Sequence, residues 1–520
     1  MTETEVIQPR NSIANRNVSM SQTEALAKFV FWQILTKRDP DGEQAFSDVK
    51  IDILKLMELL YYNNYRRFDI ENDSIFIKII NNRIIKKIEV REMQDFVFDY
   101  VDNLPDELGK QYDVDIKTHV KKKLLHGIAS FFNVQKLYYL KPKEPIKLNK
   151  DTMTEKFIYF ENGVLKITSL KIDFIDYSHL SGYVWENEII KRTYEKPRPD
   201  SKKDYVRRFF QLVSGENESR FRDLCIAAGY YAHDFHDYKL RALVLTDSGI
   251  SEVNEANGRT GKTLFCRLIG GILSNDIQDA SIKTYVEVNA KDFDPKAQFK
   301  YASCGLETKL IVLNDLKRDF DVDCIYNDIT EGIEVNKKGL HAFKIRAKMI
   351  LTTNKTIRLN GDSDTDRFLE FEFSNYFSKS RSPENEFKHW FFRDWNDEDY
   401  CRYYSFMSEC IQAYFKNGCK LNEPQQINLN KRKLIEQTNE DFIEWIRSIN
   451  IEPNKEYIKN DLFSQFVNQY PDYNNPRFKQ KKFSQWLQYY CNFSPEFDNY
   501  SKDKNERRDS TNRYFIFCKS

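Results

Sequence analysis

The sequence predicts an α/β protein built on a largely parallel central sheet, with mixed α+β and helical segments before it and a small helix-and-strand domain after it. Three observations predict this. Between about 239 and 375, strand-like runs (LRALVLT, KLIVLND, KMILTT, FLEFEF) alternate with helical stretches, as parallel strands joined by crossover helices do. A glycine-rich segment, ANGRTGKT at 256–263, separates the first run from the apolar helix LFCRLIGGIL. Residues 439–520 read as three amphipathic helices followed by a strand, a charged loop and a strand.

Composition bounds what such a chain can be. Of 520 residues, 41% are hydrophobic and 14% aromatic, enough to build several cores and to exclude wholesale disorder. Lys+Arg number 80 against 79 Asp+Glu, so any surface that attracts nucleic acid must be local. No apolar run nears the roughly 18 residues of a membrane span, and no membrane partner is expected. The start carries no basic-then-apolar signal, and the nine cysteines are scattered without a C-x-x-C pair. Reduced thiols in a cytoplasmic protein are the expectation, with no disulfide framework and no zinc site.

The segments follow in order. Residues 1–22 are polar and read as disordered or loosely attached. Residues 23–150 read as a mixed α+β domain: a helix over 24–36 (ALAKFVFWQIL), a strand meander with hairpins at Asn72-Asp73 and Asn81-Asn82, then helices over 92–103 and through THVKKKLLHGIASFFN. Residues 151–238 begin with strands around the Asn162-Gly163 hairpin signal and end in helices over 203–233. The α/β domain takes 239–420, a polar stretch covers 420–438, and the compact tail covers 439–520.

The chemistry concentrates in the glycine-rich segment. A tight turn between strand and helix lets backbone N–H groups approach phosphate oxygens, and the helix N-terminus adds a favourable dipole. Asn257, Gly258, Arg259, Thr260, Gly261, Lys262 and Thr263 then form a nucleotide-binding loop, although Ala256 stands where the usual pattern begins with Gly. Lys262 would reach the β- and γ-phosphates of ATP, and the Thr263 hydroxyl would ligate Mg²⁺. Such a loop needs an acidic strand end nearby; KLIVLNDL ends in Asn314-Asp315. A third apolar run, AKMILTTN, ends in Asn354, whose amide can hold water or the γ-phosphate.

The order and spacing of these three motifs resemble superfamily 3 helicases, AAA+-type ring motors of viruses, phages and plasmids. The likeness is nearest to phage and mobile-element proteins related to poxvirus primase-helicases, and spans roughly residues 155–420. It implies an AAA+-type P-loop NTPase core using ATP and Mg²⁺, with Asn354 as the sensor asparagine. Asn314 departs from the family's paired carboxylates, so Asp315 alone matches, either orienting Mg²⁺ or activating water; Glu307, Asp319 and Asp321 are nearby acids. Arg367 matches the arginine that reaches a neighbour's ATP, with Asp364 or Asp366 upstream and Arg358 as the alternative. Between the motifs, IEV and AFKI flank a Lys-Lys-Gly turn; there the family carries a hairpin that grips single-stranded DNA, which assigns phosphate contacts to Lys337, Lys338 and His341. The resemblance further implies a DNA helicase in the cytoplasm of a bacterial host, a homo-oligomer of hexamer type acting on single-stranded and forked DNA, with a primase or other replisome proteins as partners. An AAA+ initiator or remodelling ATPase is the alternative.

The tail reads as a winged helix-turn-helix. Phe483, Trp486, Leu487 and Tyr490 would face its core, leaving Lys479, Lys481 and Lys482 for DNA. Three other signals are set aside. Asp113, Asp115 and His119 lack the further acids of a polymerase core; His233 and His236 lack a ligand constellation; HWFFRDW at 389–395 reads as packing.

Overall fold

The computed structural model describes residues 30–519 apart from 71–72, 82, 105–109, 112–113, 201, 237–239, 250–258, 275–282, 292, 318–319, 340, 356 and 358–361. The chain forms two compact units. The first takes the chain to Lys150 together with Tyr159–Val164 and Phe174–Ile190; the second takes Asp151–Ile158, Leu165–Asp173 and everything from Lys191 onward.

In the first unit, β1 (Trp32–Arg38) pairs antiparallel with β2 (Gln44–Ile51). This overturns the helix expected over 24–36: residues 24–29 lie outside the described residues, and 32–36 are strand. FVFWQIL carries the aromatic and branched side chains that suit a pleated surface, and its ladder partner lies beyond any local window. Helix α1 (Ile53–Tyr62) starts where the Asp52 carboxylate accepts from the Lys55 N–H. The meander follows as β3 (Tyr65–Ile70), β4 (Asp73–Asn81) and β5 (Ile84–Ile88). β3 pairs antiparallel with β4 and β4 with β5, with Ile70 opposite Asp73 and Asn81 opposite Ile84; Asp73 and Asn81, expected in the turns, are strand residues, and Asn72 and Asn82 lie outside the described residues. Helices α2 (Val90–Asp102) and α3 (Ile116–His126) complete a core around Phe31, Leu60, Met93 and Val120.

Next in the chain, β6 (Lys156–Phe160), β7 (Gly163–Ile167) and β8 (Ile172–Ile175) form a small sheet in the order β8-β7-β6; the first link is Glu161-Asn162, one residue before the expected Asn162-Gly163 turn, because Gly163 already belongs to β7. The short β9 (Val184–Trp185) adds in parallel to β5.

The second unit opens with helices α4 (Tyr205–Val213) and α5 (Glu218–Ala232), where helices were expected. The central sheet follows: β10 (Ala242–Asp247), then helix α6 (Lys262–Leu273), β11 (Tyr285–Asn289) and β12 (Leu310–Asn314). An antiparallel hairpin of β13 (Ile333–Val335) and β14 (Phe343–Ile345) precedes β15 (Lys348–Thr352). The short helix α7 (Asp362–Arg367) runs straight into β16 (Phe368–Phe373). The five strands are all parallel, in the order β11-β12-β15-β10-β16. Every residue of β10 and β15 is buried, as strands covered on both faces must be. Helix α8 (Asp397–Lys416) crosses α5 so closely that a Cβ on Gly229 would lie 2.2 Å from the Cys410 carbonyl oxygen; only glycine fits.

Helix α9 (Leu429–Gln437) leads to the tail and is fastened to β16. Arg432 pairs with Glu372 at 3.1 Å, and Lys433 pairs with Glu370. The tail itself comprises α10 (Glu440–Ser448), β17 (Glu456–Ile458), α11 (Lys459–Gln469), α12 (Gln480–Phe493), β18 (Glu506–Arg508) and β19 (Arg513–Ile516). The three expected helices and the final strand–loop–strand are there, with β17 joining them in an antiparallel sheet β17-β19-β18. Phe483, Trp486, Leu487 and Tyr490 are all buried, in a core that also takes Leu434 from α9.

Candidate functional site

Parallel-sheet topology locates the site first. From β10 the chain crosses β15 and β12 to reach β11, whereas from β15 it crosses β10 to reach β16. The connections leaving these two neighbours therefore diverge, opening a crevice at their carboxyl ends, where open α/β sheets bind ligands.

The glycine-rich segment fills one side of that crevice. Asn257 and Gly258 lie outside the described residues. Gly261 adopts φ 98° at the start of α6, and a Cβ there would meet the Phe209 ring of α4 at 2.7 Å. Conformation and space both require glycine. Arg259 is also left-handed, at φ 79°, so the chain turns sharply into the helix. Among the described residues no side chain caps α6, so its first N–H groups are available to the crevice. Lys262, 7% exposed, donates to the Asp247 carboxylate at the end of β10 and to Asn354 Oδ1 at 2.8 Å; Thr260 Oγ1 lies at 3.3 Å. The Thr260 hydroxyl donates to the same Asp247 oxygen. Burial pushes the Lys262 ammonium below its usual range, and the Asp247 charge opposes that shift.

The other side is built by the ends of β12 and β15. Thr352 Oγ1 donates to Asn314 Oδ1 at 2.5 Å and accepts from the Asp315 N–H at 3.0 Å. Asp315 is left-handed, φ 64°, and its carboxylate pairs with Lys291. The resulting cleft, about 660 Å³, brings Lys262, Thr263, Asn314, Asp315 and Asn354 together. It is lined as well by Lys379 and by the start of a short helix, Pro383–Phe387, beyond β16. Chemically this is an anion cradle with the Lys262 and Lys379 ammoniums, a helix N-terminus, the amides of Asn314 and Asn354, and the carboxylates of Asp315 and Glu384.

Two participants escape the sequence reading. Asp247 reads there as nothing more than the last residue of an apolar strand, and only its burial at 3% exposure beside Lys262 marks it. Lys379 carries no local signal at all.

The remaining residues lie elsewhere. Arg367 immediately precedes β16, whose Phe368 is level with Ala242 at the start of β10. It therefore sits at the amino edge of the sheet, about 17 Å of strand away from the Lys262 edge. Its guanidinium packs over the Tyr326 ring at 4.8 Å. Asp364 is buried, and Arg358 and Asp319 lie outside the described residues. Asp321 caps the turn at Val322–Ile325, and Glu307 precedes β12, so neither lines the cleft. Lys337 and Lys338 lie between β13 and β14 at a turn where Gly339 has φ 78°; Lys338 and His341 are exposed, and Lys337 sits 5.8 Å from the Phe343 ring. In the tail, Lys479, Lys481 and Lys482 are exposed at the start of α12, with the Lys482 ammonium 5.9 Å from the ring centres of both Phe478 and Trp486.

Of the signals set aside, Asp113 lies outside the described residues, Asp115 caps α3 through Thr118, and His119 packs on Phe46. His233 and His236 are held down to about 4 by burial, and the His233 ring packs edge-on against Phe415. Phe391, Phe392 and Trp395 pack with Phe209, Tyr400 and Tyr403 as core aromatics. Among the described residues no helix is long and apolar enough to cross a membrane.

No family model and no curated protein matches the sequence. Among solved structures the chain has a loose likeness to apo forms of the C-terminal region of NrS-1. Two span residues 305–718 of that protein, each 14% identical over 90% of this chain and 100% of that one, with TM-scores of 0.35 and 0.37. A third is 13% identical over 89% and 99%, with a TM-score of 0.35. A likeness at this level assigns neither fold nor activity.

Proposed function

We propose that the chain is an ATP-dependent DNA helicase of superfamily 3 type, a P-loop ATPase of AAA+ kind that works as a homo-oligomeric ring in replication of a phage or mobile element. The observation that carries this reading is the gathering of Lys262, Thr263, Asp315 and Asn354 at one carboxyl-edge cleft, from three separate strand ends. The residues suit ATP and Mg²⁺. The left-handed Gly261 and the uncapped start of α6 offer N–H groups to phosphate oxygens, and Lys262 supplies a buried cation. Thr263 and Asp315 would hold Mg²⁺, which neutralises charge on the phosphates when bound. The amide of Asn354, whose Oδ1 accepts from Lys262, would orient a water.

The position of Arg367 supports the ring reading. A guanidinium at the amino edge is out of reach of its own chain's cleft, so a role in hydrolysis requires a neighbouring subunit's ATP. The basic β13–β14 hairpin would touch the DNA backbone, and the lysines at the start of α12 would meet duplex phosphates. ATP hydrolysis stimulated by single-stranded DNA, together with strand displacement on forked substrates, tests the reading. Turnover without displacement would reject it in favour of a remodelling ATPase or initiator. The observation favouring that second reading is the tail, a compact duplex-binding shape whose exposed lysines need no strand separation.

A further inference from the structure

Two carboxylates lie buried on neighbouring strands of the sheet, and their surroundings differ. Glu372 on β16 is level with Thr246 on β10, one residue before Asp247. Glu372 is saturated by partners that stay put: Oε2 accepts from the Ile427 and Asn428 N–H groups at 2.5 and 2.9 Å, and Oε1 from Arg432 at 3.1 Å. Asp247 is almost as deeply buried, yet among the described residues its Oδ1 accepts only from the Thr260 hydroxyl and the Lys262 ammonium. Its Oδ2 has no hydrogen-bond partner among the described residues. A buried carboxylate so compensated depends wholly on a loop facing an anion cradle.

We propose that Asp247 is a positioning residue of the nucleotide site: its carboxylate holds the Lys262 ammonium in reserve, and the phosphates of a nucleoside triphosphate must draw that ammonium away. The inference rests on the nucleotide-site reading above. The exchange is of one ion pair for another, with no covalent change. Asp247 keeps Lys262 charged and oriented inside a buried site, so little reorganisation remains when phosphate arrives. It also resists the exchange, because it repels the incoming anion and loses its own counter-ion. Affinity is thereby traded for a lysine that returns to its carboxylate when product leaves.

Asp247→Asn preserves an oxygen for Thr260 and removes the charge. The groups facing Lys262 are then Thr260 and Asn354, with Asp315 and Arg432 farther off. Binding of a fluorescent ATP analogue is measured from pH 6.5 to 9.5 in wild type and variant. At pH 6.5 the variant is expected to bind about tenfold tighter. As pH rises the variant's affinity should fall more steeply than that of wild type, because burial lowers the Lys262 ammonium and Asp247 no longer opposes that shift. Equal or weaker binding at pH 6.5 overturns the proposal. If Asp247→Asn does not fold, Thr260→Val serves instead. It leaves Lys262 as the sole partner of the carboxylate and should weaken binding several-fold, and unchanged affinity overturns the proposal. A nucleotide-free cycle separates the two layers of the argument. Melting of wild type, Asp247→Asn, Lys262→Met and the double variant should be clearly non-additive. Additivity sinks the ion pair itself; non-additivity in a wild type that binds no nucleotide sinks the nucleotide-site reading.

Discussion

Lys262 and Lys348 are both buried lysines on the same sheet, one at each end. Lys262 follows β10 at the carboxyl edge; Lys348 begins β15 at the amino edge. Lys348 is fixed by backbone, donating to the carbonyl oxygens of Tyr230 and His233 at 2.6 Å each, with the Tyr230 ring 4.0 Å from its nitrogen. Displacing those partners means unwinding the end of α5. Lys262 is fixed by the side chains of Asp247 and Asn354, and Lys262 and Asn354 line an open cleft, so a ligand there can take the ammonium without moving the backbone. Burial by itself therefore says little about function. What distinguishes the two is whether the partners can be exchanged and whether space exists for what replaces them.

The largest test of that contrast is replacement of each lysine. Lys262→Ala should abolish ATP hydrolysis, while Lys348→Met should leave turnover within a few-fold of wild type. A steady-state ATPase assay decides it, and comparable losses in both variants would erase the distinction. Arg367→Ala comes next. Loss of an arginine finger costs on the order of 10³–10⁵ in turnover, and activity should reappear when this variant is mixed with Lys262→Ala under subunit exchange. In rings shown to be mixed, a response that never exceeds the two parents would confine Arg367 to its contact with Tyr326.

A smaller effect distinguishes Lys348 by pH. Burial brings its ammonium down to about 7, whereas the unfolded chain titrates near 10.5. Between those values the unfolded state binds more protons, so this group's contribution to stability rises with pH, by at most about 1.4 kcal/mol per unit. Below pH 7 both states are protonated and the slope vanishes. Denaturant melts of wild type and Lys348→Met from pH 6 to 10 should show that rise only in wild type; parallel curves would mean Lys348 stays charged throughout. The mildest effect belongs to the tail. Removing 439–520 should leave basal ATPase nearly intact and lower the salt slope of duplex binding by roughly 2–3, the loss of about three lysine–phosphate contacts. An unchanged slope in a binding titration across salt would take Lys479, Lys481 and Lys482 off the DNA.

The legibility of this chain follows the range of the interactions involved. Strands β10, β12 and β15 were readable because burial on both faces leaves apolar runs, and β16 coincides with FLEFEF, whose glutamates alternate with large apolar residues. The helices of the tail and the four core positions on α12 followed from their period. Where pairing is decided at a distance, local pattern misled: Trp32–Arg38 is a strand because of residues 44–51, and β17 is three residues paired with β19 far along the tail. The division into units is illegible for the same reason, since the chain alternates between them from 151 to 190. In the site, the motifs Lys262-Thr263, Asn314-Asp315 and Asn354 were visible by order. Asp247 was not, because its part is given by depth and by a partner fifteen positions on, neither of which has a sequence signature.

The fastening of α9 to β16 has a mechanical side. Lys433 and Arg432 grip Glu370 and Glu372 on a strand whose preceding residue is Arg367. Parallel ladder bonds resist sliding along the strand far more than a loop would, so β16 behaves as a stiff tie between the helix that carries the tail and the arginine at the far edge. Tension placed on the tail by a held duplex would be delivered along that tie as displacement of Arg367, rather than being absorbed in the linker.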